Sequence, residues 1–246
     1  MDKKQYSNIP KFYDQLMNNI PYKFWLYYIK EILKLIDYNP QNLLDVACGT
    51  GTMTKEFKDA GLEVFGIDLS EGMIEHAKKK YPDIDFKVCN ASDFDLYKTF
   101  DLAISLFDSL NYITEKLDLQ NAFISINKHL NPNGYLIFDV NTIYALSNNF
   151  FQQTNLETDN YPHYVWKPYW DKSTRICTVN MTFECKDENG DIMSFKETHL
   201  QKGYQISELA YMLEKAGFEV IHIFNAYKFT KPTKRSDRVY YVAKKI

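Results

Sequence analysis

Paired cysteines are missing from this sequence. The four cysteines are isolated from one another and form no C-x-x-C pair; they are Cys48, Cys89, Cys177 and Cys185. The disulfide frameworks of small secreted domains and most structural zinc sites depend on such pairs. We therefore expect buried free thiols in a cytoplasmic protein, with neither a disulfide nor a metal site.

Long apolar runs and a strong charge of either sign are missing as well. No run of about 18 apolar residues is present, and the first residues, Met1 to Tyr6, are polar, unlike a signal peptide. The 29 basic and 32 acidic side chains give a net charge of −3. We therefore expect neither a membrane partner nor a nucleic-acid partner.

Glycine is scarce, at nine residues, but two glycines stand close together. Gly49 and Gly51 follow a short apolar run, Leu43 to Val46, and precede a helical segment that begins at Thr52. This pattern predicts a strand, a tight turn and the N-terminal end of a helix, which attracts polar ligands. Glycine lets the backbone of such a turn approach a ligand where a Cβ atom would collide.

The glycine pattern is too short for a typical dinucleotide site. Turns that bind NAD usually carry three glycines as G-x-G-x-x-G, whereas this turn has two, and Ala47 stands where another would be expected. Asp45, inside the strand, would repel a pyrophosphate at close range, but it can order the amides of the turn or accept from an ammonium group. An NAD-dependent oxidoreductase is therefore the less favoured enzyme.

The segment Asp45 to Gly51 resembles the first motif of the class I S-adenosylmethionine-dependent methyltransferases, acidic-x-Gly-x-Gly-x-Gly. The resemblance implies S-adenosylmethionine as the cofactor and a binding turn that contains Asp45, Ala47, Cys48, Gly49 and Gly51. Ala47 replaces the first glycine of the motif. We expect this change to be tolerated if the φ angle of Ala47 stays negative.

Strands and helices alternate over most of the chain. Apolar strands at 43–46, 62–68, 84–89, 100–106 and 135–140 alternate with helical patterns, which indicates an α/β fold with a doubly wound, mostly parallel sheet. The resemblance implies a seven-stranded Rossmann-like methyltransferase fold whose last strand is antiparallel to its neighbours. The final strands are predicted at 218–227 and 238–243, after a helix with Ser207 as its N-cap.

Residues 141–200 interrupt this alternation. They contain no convincing helix, but alternating stretches at 178–185 and 192–199 flank a turn at 187–190, which is typical of an antiparallel hairpin. We predict a methyltransferase domain of residues 1–140 and 201–246, with residues 141–200 inserted as a small antiparallel β lid.

Polar residues follow the predicted parallel strands, where open α/β sheets bind ligands. Asp68 ends the second strand, where a carboxylate can accept from both hydroxyls of a ribose; a solvated helix-capping acid is the alternative. The resemblance assigns the adenosine ribose to Asp68, with Leu69 packed nearby. It assigns the adenine edge to Asn90 and Ala91, or to Asp93 if the register differs.

Two further segments complete the predicted cofactor site. The resemblance places Leu106 and Phe107 beside the methionine part and the reacting methyl group. Asp108 or Asn111 would then contact the substrate, although Asp108 is equally suited to cap the next turn. Near the N-terminus, Tyr13 lies in an aromatic segment that resembles the one closing over the cofactor in related small-molecule methyltransferases. An aromatic face suits a sulfonium cation.

His199 is the other catalytic candidate besides Asp108. It lies on a strand predicted to cover the crevice, with Glu197 two residues earlier on the same face. The two side chains can act as a base and the group that orients it. A structural histidine is the alternative.

These features together predict a methyltransferase. Methyl transfer from a sulfonium is an in-line displacement that requires alignment and exclusion of water, so the lack of a charged triad is no obstacle. We expect a small-molecule acceptor that reacts through oxygen or nitrogen, because a lid on an acidic chain favours an enclosed pocket. A non-catalytic S-adenosylmethionine-binding protein is a further alternative, and the sequence gives no prediction of oligomeric state.

Overall fold

The computed structural model describes residues 9–156, 162–187 and 189–246. Its strands, in chain order, are β1 (Asn42–Val46), β2 (Glu63–Asp68), β3 (Asp85–Val88), β4 (Phe100–Ser105), β5 (Leu130–Asn141), β6 (Gln153–Thr154), β7 (His163–Asp171), β8 (Ile176–Lys186), β9 (Ile192–Lys202), β10 (Phe218–Asn225) and β11 (Arg238–Lys245). One sheet has seven strands in the order β10-β11-β5-β4-β1-β2-β3. The strands from β1 to β5 pair in parallel, and β11 is antiparallel to both of its neighbours. The predicted fold class is confirmed.

Helices cover both faces of this sheet. They are α1 (Tyr13–Leu16), α2 (Tyr22–Leu35), α3 (Thr52–Asp59), α4 (Glu71–Lys80), α5 (Lys116–Lys128), α6 (Ile143–Ser147) and α7 (Ile206–Lys215). Because successive strand residues point to opposite faces, Leu43 packs in an apolar core with α2 and α3, and Leu44 packs in a second core with α5 and α7. Both leucines are fully buried.

The four remaining strands form a second, antiparallel sheet in the order β6-β7-β8-β9. Alternate side chains of β8 are buried on one face; they are Cys177, Val179, Met181, Phe183 and Cys185. This face packs against Ile9, Phe12 and Met73. The second sheet therefore covers the N-terminal segment and the first turn of α4.

The structure corrects two local predictions. Residues 143–147 form the short helix α6, whose N-cap hydroxyl on Thr142 accepts from the amide of Ala145 at 3.2 Å; five residues are too few for helical periodicity to be recognised. The prediction of Ser207 as the N-cap of α7 is wrong, because the N-cap is Gln205. The Glu208 carboxylate accepts from the Gln205 amide at 3.2 Å and fixes the earlier start.

The strand predicted at 135–140 begins earlier than expected, at Leu130. Its first part is irregular, because the register of β5 shifts between the pairs Leu130–Phe100 and Tyr135–Leu102. Asn133 adopts a φ of 63° there. Of the turn predicted at 187–190, Glu188 lies outside the described residues.

All four cysteines are free thiols, with Cys89 half-buried and the others buried. No described helix combines the length and the apolar composition that crossing a bilayer requires.

Candidate functional site

A cleft of about 580 Å³ opens at the carboxyl ends of β1, β2 and β4. Ligand sites in open α/β sheets occur at this edge, and the volume lies within the usual range for small-molecule and cofactor pockets. Eleven of the predicted cofactor residues line it; they are Tyr13, Asp45, Ala47, Cys48, Gly49, Asp68, Leu69, Asn90, Ala91, Leu106 and Phe107. The fold therefore brings together residues from five separate segments of the chain.

The turn after β1 has three residues in the left-handed region. Ala47, Gly49 and Gly51 have φ angles of 62°, 56° and 77°. The condition under which alanine was expected to be tolerated here, a negative φ, is therefore not met. The turn is fixed by hydrogen bonds from the Cys48 amide to the carbonyl of Ile67 and from the Gly51 amide to the carbonyl of Cys48, both at 3.0 Å. These contacts hold Ala47 in a conformation that costs an L-residue roughly 1–2 kcal/mol.

Ala47→Gly should raise the free energy of unfolding by about 0.5–1 kcal/mol, because relief of the left-handed strain outweighs the backbone entropy that glycine loses on folding. Ala60→Gly is the matched control, since Ala60 at the end of α3 has a φ of −80°. The control should lose about 0.5–1 kcal/mol. Urea unfolding measures both changes, and equal losses in the two variants would contradict the assigned strain.

Gly51 lies behind the turn and outside the cleft lining. A Cβ atom at this position would come within 2.5 Å of the Phe86 ring. Gly51 therefore permits close packing of the turn on β3. Gly49 faces the opposite way, and a Cβ there would lie 3.9 Å from the Tyr13 ring. The Tyr13 ring thus lies close to the glycine turn in the wall of the cleft.

Contacts of α1 hold this tyrosine in place. The hydroxyl of Thr50 donates to the Asp14 carboxylate at 2.7 Å, and the Lys80 ammonium donates to the other oxygen of Asp14 at 2.5 Å. The N-terminal segment is therefore tied both to the glycine turn and to the end of α4.

Asp68 joins the turn to the end of β2. Its two carboxylate oxygens accept from the Gly49 amide at 2.9 Å and from the Ser70 amide at 2.8 Å. Burial raises the pKa of Asp68, and these amides oppose the rise. Ser70, rather than Asp68, caps α4 through its side chain, which accepts from the Met73 amide at 3.3 Å. Each oxygen keeps a further lone pair for a ligand in the cleft.

Asp45 is a buried carboxyl at the base of the cleft, with 3% of its surface exposed. The Thr54 hydroxyl donates to it at 2.6 Å. Burial raises the pKa of Asp45 to about 7, with a smaller rise from the nearby Asp68 and an opposing effect of Thr54. A cation that enters the cleft beside Asp45 would therefore stabilise its ionised form.

The loop after β3 supplies one wall of the cleft. Asn90 and Ala91 line the cleft, whereas Asp93 lies outside the lining. The side-chain oxygen of Asn90 accepts from the Ser92 amide at 3.0 Å and so orders this loop. The amide group of Asn90 thus has a defined orientation before any ligand binds.

Phe107 and Asp108 form a strained bend after β4, with φ angles of 64° and 51°. Both of their backbone amides donate to the carboxylate of Asp139, at 2.7 and 3.0 Å. Phe107 faces the cleft, and its ring lies 5.2 Å from the ring of Trp25. The buried carboxylate of Asp139 therefore determines where Phe107 stands.

The structure does not bring Asp108 to the cleft. Its carboxylate is 6% exposed and accepts from Arg238 at 2.5 Å and from the Gln201 amide at 2.7 Å. Arg238 also donates to Asp139 at 2.5 Å. Burial raises the pKa of Asp108 to about 6 despite the guanidinium. The side chain serves a buried ion-pair network, since the left-handed bend turns it away from the cleft.

Two other polar residues with predicted substrate roles are also buried behind the cleft wall. The Asn111 side chain is fully buried and donates to the carbonyls of Asn141 and Lys202 at 3.1 and 2.9 Å. His199 is 2% exposed, and its Nδ1 atom lies 3.0 Å from the hydroxyl of Tyr112, which does line the cleft. His199 therefore lies outside the cleft lining and is linked to the cleft by its contact with Tyr112.

The predicted site residues do not include several residues that the structure places at the site. Tyr22 and Tyr112 line the cleft, and Trp25 both lines it and packs in the core. Nothing in the local pattern separates these aromatic residues from ordinary core residues. Asp139 and Arg238 carried a signal, since Asp139 is a charged residue inside the apolar run 135–140 and Arg238 directly precedes the apolar run 239–243.

The chain matches a known family model and a full-length relative. The model described as a methyltransferase domain matches residues 43–134. A protein of Geobacillus sp. (strain WCH70), named as a methyltransferase without a stated acceptor, is 31% identical over 247 residues, which cover 98% of this chain and 99% of that protein.

One further relative matches part of the sequence, and one solved structure matches nearly the whole fold. The dTDP-3-amino-3,4,6-trideoxy-alpha-D-glucopyranose N,N-dimethyltransferase of Streptomyces venezuelae is 39% identical over 102 residues, which cover 40% of this chain and 41% of that enzyme. The crystal structure of an S-adenosylmethionine-dependent methyltransferase from Clostridium acetobutylicum ATCC 824 superposes with a TM-score of 0.84 at 24% identity, covering 95% of this chain and 96% of that one.

Proposed function

Because this chain belongs to the class I S-adenosylmethionine-dependent methyltransferases, we propose that it transfers a methyl group from S-adenosylmethionine to an oxygen or nitrogen atom of a small molecule. The observation that carries the proposal is the convergence of a left-handed glycine turn, Asp68 and the Asn90–Ala91 loop on one cleft. The cofactor, when bound, supplies the sulfonium methyl group.

The residues of the cleft fit the parts of this cofactor. We assign the methionine portion to the glycine turn with Asp45 and Tyr13, because backbone amides and a buried carboxyl there suit a zwitterionic group. Asp68, with Leu69 beside it, would accept from the ribose hydroxyls. Asn90 and Ala91 would meet the adenine edge. This order follows the strand ends from β1 through β2 to β3.

The reacting methyl group would then lie beside Leu106 and Phe107. The aromatic rings of Phe107, Trp25 and Tyr22 surround this end of the cleft. Aromatic faces stabilise a sulfonium cation and exclude water, while the fixed bend at Phe107 aligns the acceptor for in-line attack. The protein would thus contribute mainly the alignment of the reactants and the exclusion of water.

A small-molecule acceptor is supported by the enclosure of the cleft. The N-terminal segment faces the glycine turn, and the second sheet packs on that segment. The partial relatives that act on amino sugars suggest amines as the first acceptors to test. Thr54 occupies the place of a third glycine and bonds to Asp45, which argues against NAD.

Two measurements test the proposed function. Titration calorimetry should detect S-adenosylmethionine and S-adenosylhomocysteine but no NAD. Label from methyl-labelled cofactor should then pass to a member of a panel that holds an amino-sugar nucleotide, a free amino sugar and a catechol, or to a compound in a metabolite extract. Binding without any transfer would indicate a non-catalytic binding protein, and NAD binding would overturn the proposed cofactor.

Cofactor affinity should rise with pH up to about 7 and fall again above about 8. Below the pKa of Asp45, about 7, the carboxyl is protonated, so binding of the cofactor's ammonium group must expel a proton. Above roughly pH 8 the ammonium group itself loses its proton. Calorimetry with S-adenosylhomocysteine measures this profile, whose acid limb should change by at most about tenfold per pH unit.

Asp45→Asn is the control for this pH dependence, since it keeps the shape and removes the titration. Its acid limb should be flat. The other ionisable groups around Asp45 are Asp68 and Cys48, and burial keeps the Cys48 thiol neutral by raising its pKa. An unchanged acid limb in Asp45→Asn would assign the titration to Asp68.

A further inference from the structure

A line of three buried polar side chains connects the cleft with the second sheet. Tyr112 lines the cleft, and its hydroxyl lies 3.0 Å from Nδ1 of His199. The Nε2 atom of His199 lies 3.6 Å from a carboxylate oxygen of Glu197. The exposed fractions are 6% for Tyr112, 2% for His199 and 5% for Glu197. Only Tyr112 belongs to the cleft wall.

The order of these three groups sets the direction in which a proton can move. A carboxylate beside one imidazole nitrogen holds a proton there and stabilises the imidazolium, so the other nitrogen becomes a base. Here the carboxylate faces Nε2, and Nδ1 faces the phenol. With the imidazole proton on Nε2, the Tyr112 hydroxyl donates to Nδ1, and its oxygen can accept a proton from the cleft as it passes its own proton to His199.

The geometry of β9 and of the aromatic contact favours a defined arrangement of these three side chains. Glu197 and His199 lie two residues apart on β9, so both side chains project from the same face. The rings of Tyr112 and His199 meet edge to face, with centroids 5.5 Å apart. Burial of a glutamate and a histidine on the second sheet is costly unless the two groups are paired.

We propose that Tyr112, His199 and Glu197 form a proton relay that removes the proton of the methyl acceptor. The inference rests on the proposed methyl transfer and adds the group that deprotonates its substrate. Tyr112 is the catalytic residue, because it reaches the cleft. His199 and Glu197 act through it and are positioning residues.

The step balances as follows. A lone pair of the acceptor oxygen or nitrogen forms the new bond to the methyl carbon, and the electron pair of the broken C–S bond stays on sulfur. The acceptor proton moves to the Tyr112 oxygen while the Tyr112 proton moves to Nδ1 of His199. The Glu197 carboxylate stabilises the resulting imidazolium. After the product leaves, Tyr112 releases the acceptor's proton to water in the cleft, and the imidazolium returns its proton to the Tyr112 oxygen.

Variants that preserve shape separate a relay from a structural contact. Tyr112→Phe keeps the ring, and His199→Gln keeps an oxygen that can accept from Tyr112 but cannot take up a proton. With the panel member that wild type methylates fastest, both variants should lose about 10²–10⁴-fold in kcat, with KM and cofactor Kd within about threefold. Glu197→Gln should lose about 10²-fold or more.

The matched control is Arg175→Gln. It removes another link between the second sheet and the core, the 3.0 Å ion pair of Arg175 with Glu208, and should leave kcat unchanged. A His199→Gln enzyme with wild-type kcat would overturn the relay while leaving the methyltransferase function intact. A purely structural contact predicts that outcome, with changes confined to stability or KM.

A second measurement tests the relay in the unmodified protein without any acceptor. Nitrogen-15 NMR of the S-adenosylhomocysteine complex should show the His199 proton on Nε2 and an unprotonated Nδ1. A proton on Nδ1 would reverse the direction of the Tyr112 hydrogen bond and overturn the relay. Failure of wild type to methylate any compound would instead overturn the proposed function, whichever tautomer is found.

Discussion

Replacing Arg238 with methionine should lower the free energy of unfolding by about 3–5 kcal/mol, the range for removing one partner of a buried ion pair. The guanidinium bonds Asp108 and Asp139 at 2.5 Å each, and both carboxyls are buried. Methionine has a similar length but leaves two desolvated carboxyl groups without their counter-ion. Urea unfolding at neutral pH measures the loss.

The loss should shrink as the pH is lowered. Without Arg238, the pKa values of Asp108 and Asp139 rise further above their unfolded values, so the folded variant binds more protons than the unfolded chain and gains stability toward about pH 5. Arg175→Met is the control, since its ion pair is partly exposed, and it should lose less than about 1 kcal/mol. A similar small loss in Arg238→Met would show that the network contributes little.

Replacing Asp68 with alanine should weaken cofactor binding by about 1.5–3 kcal/mol, or roughly 10–150-fold in Kd. The carboxylate holds the amides of Gly49 and Ser70, and we assign the ribose hydroxyls to its remaining lone pairs. Removing the carboxylate therefore loosens the glycine turn and also eliminates the direct contacts with the ribose hydroxyls. Calorimetry with S-adenosylhomocysteine gives the change in Kd.

Asp85→Ala is the control for charge alone. Asp85 begins β3, at the end of the strand away from the cleft, and is exposed. Its removal changes the net charge by the same amount and should leave Kd unchanged. An Asp68→Ala protein with wild-type Kd would remove Asp68 from the cofactor site.

The two catalytic candidates predicted from the sequence, Asp108 and His199, do not line the cleft. Asp108 and His199 were singled out because their elements approach the crevice, and both elements do. The left-handed bend at Phe107 and Asp108 turns the carboxylate into the buried network, and Tyr112 stands between His199 and the cleft. The local sequence pattern could not predict the position of either side chain, because each position depends on a partner that is distant in the sequence.

Ala47 is a second case in which contacts outside the local sequence decide a conformation. The sequence identified the turn correctly, and alanine was expected to be tolerated there only if its φ stayed negative, since alanine rarely adopts a left-handed conformation. The observed φ of 62° is imposed by the connection from β1 to the helix that follows, together with the hydrogen bond from Cys48 to β2. Tertiary contacts here outweigh a local preference of roughly 1–2 kcal/mol.

The sequence by itself determined the alternation of strands and helices, the position of the glycine turn and the acid at the end of β2. These features arise from periodicity and from residue types that act over a few neighbours. Only the tertiary structure decided that Arg238 joins Asp108 and Asp139 and that Tyr112 links His199 to the cleft. Such pairings join residues about 90–130 positions apart, so they form only when distant parts of the chain have packed together. Burial makes an unpaired polar or charged group costly, and the paired arrangement is therefore the stable one.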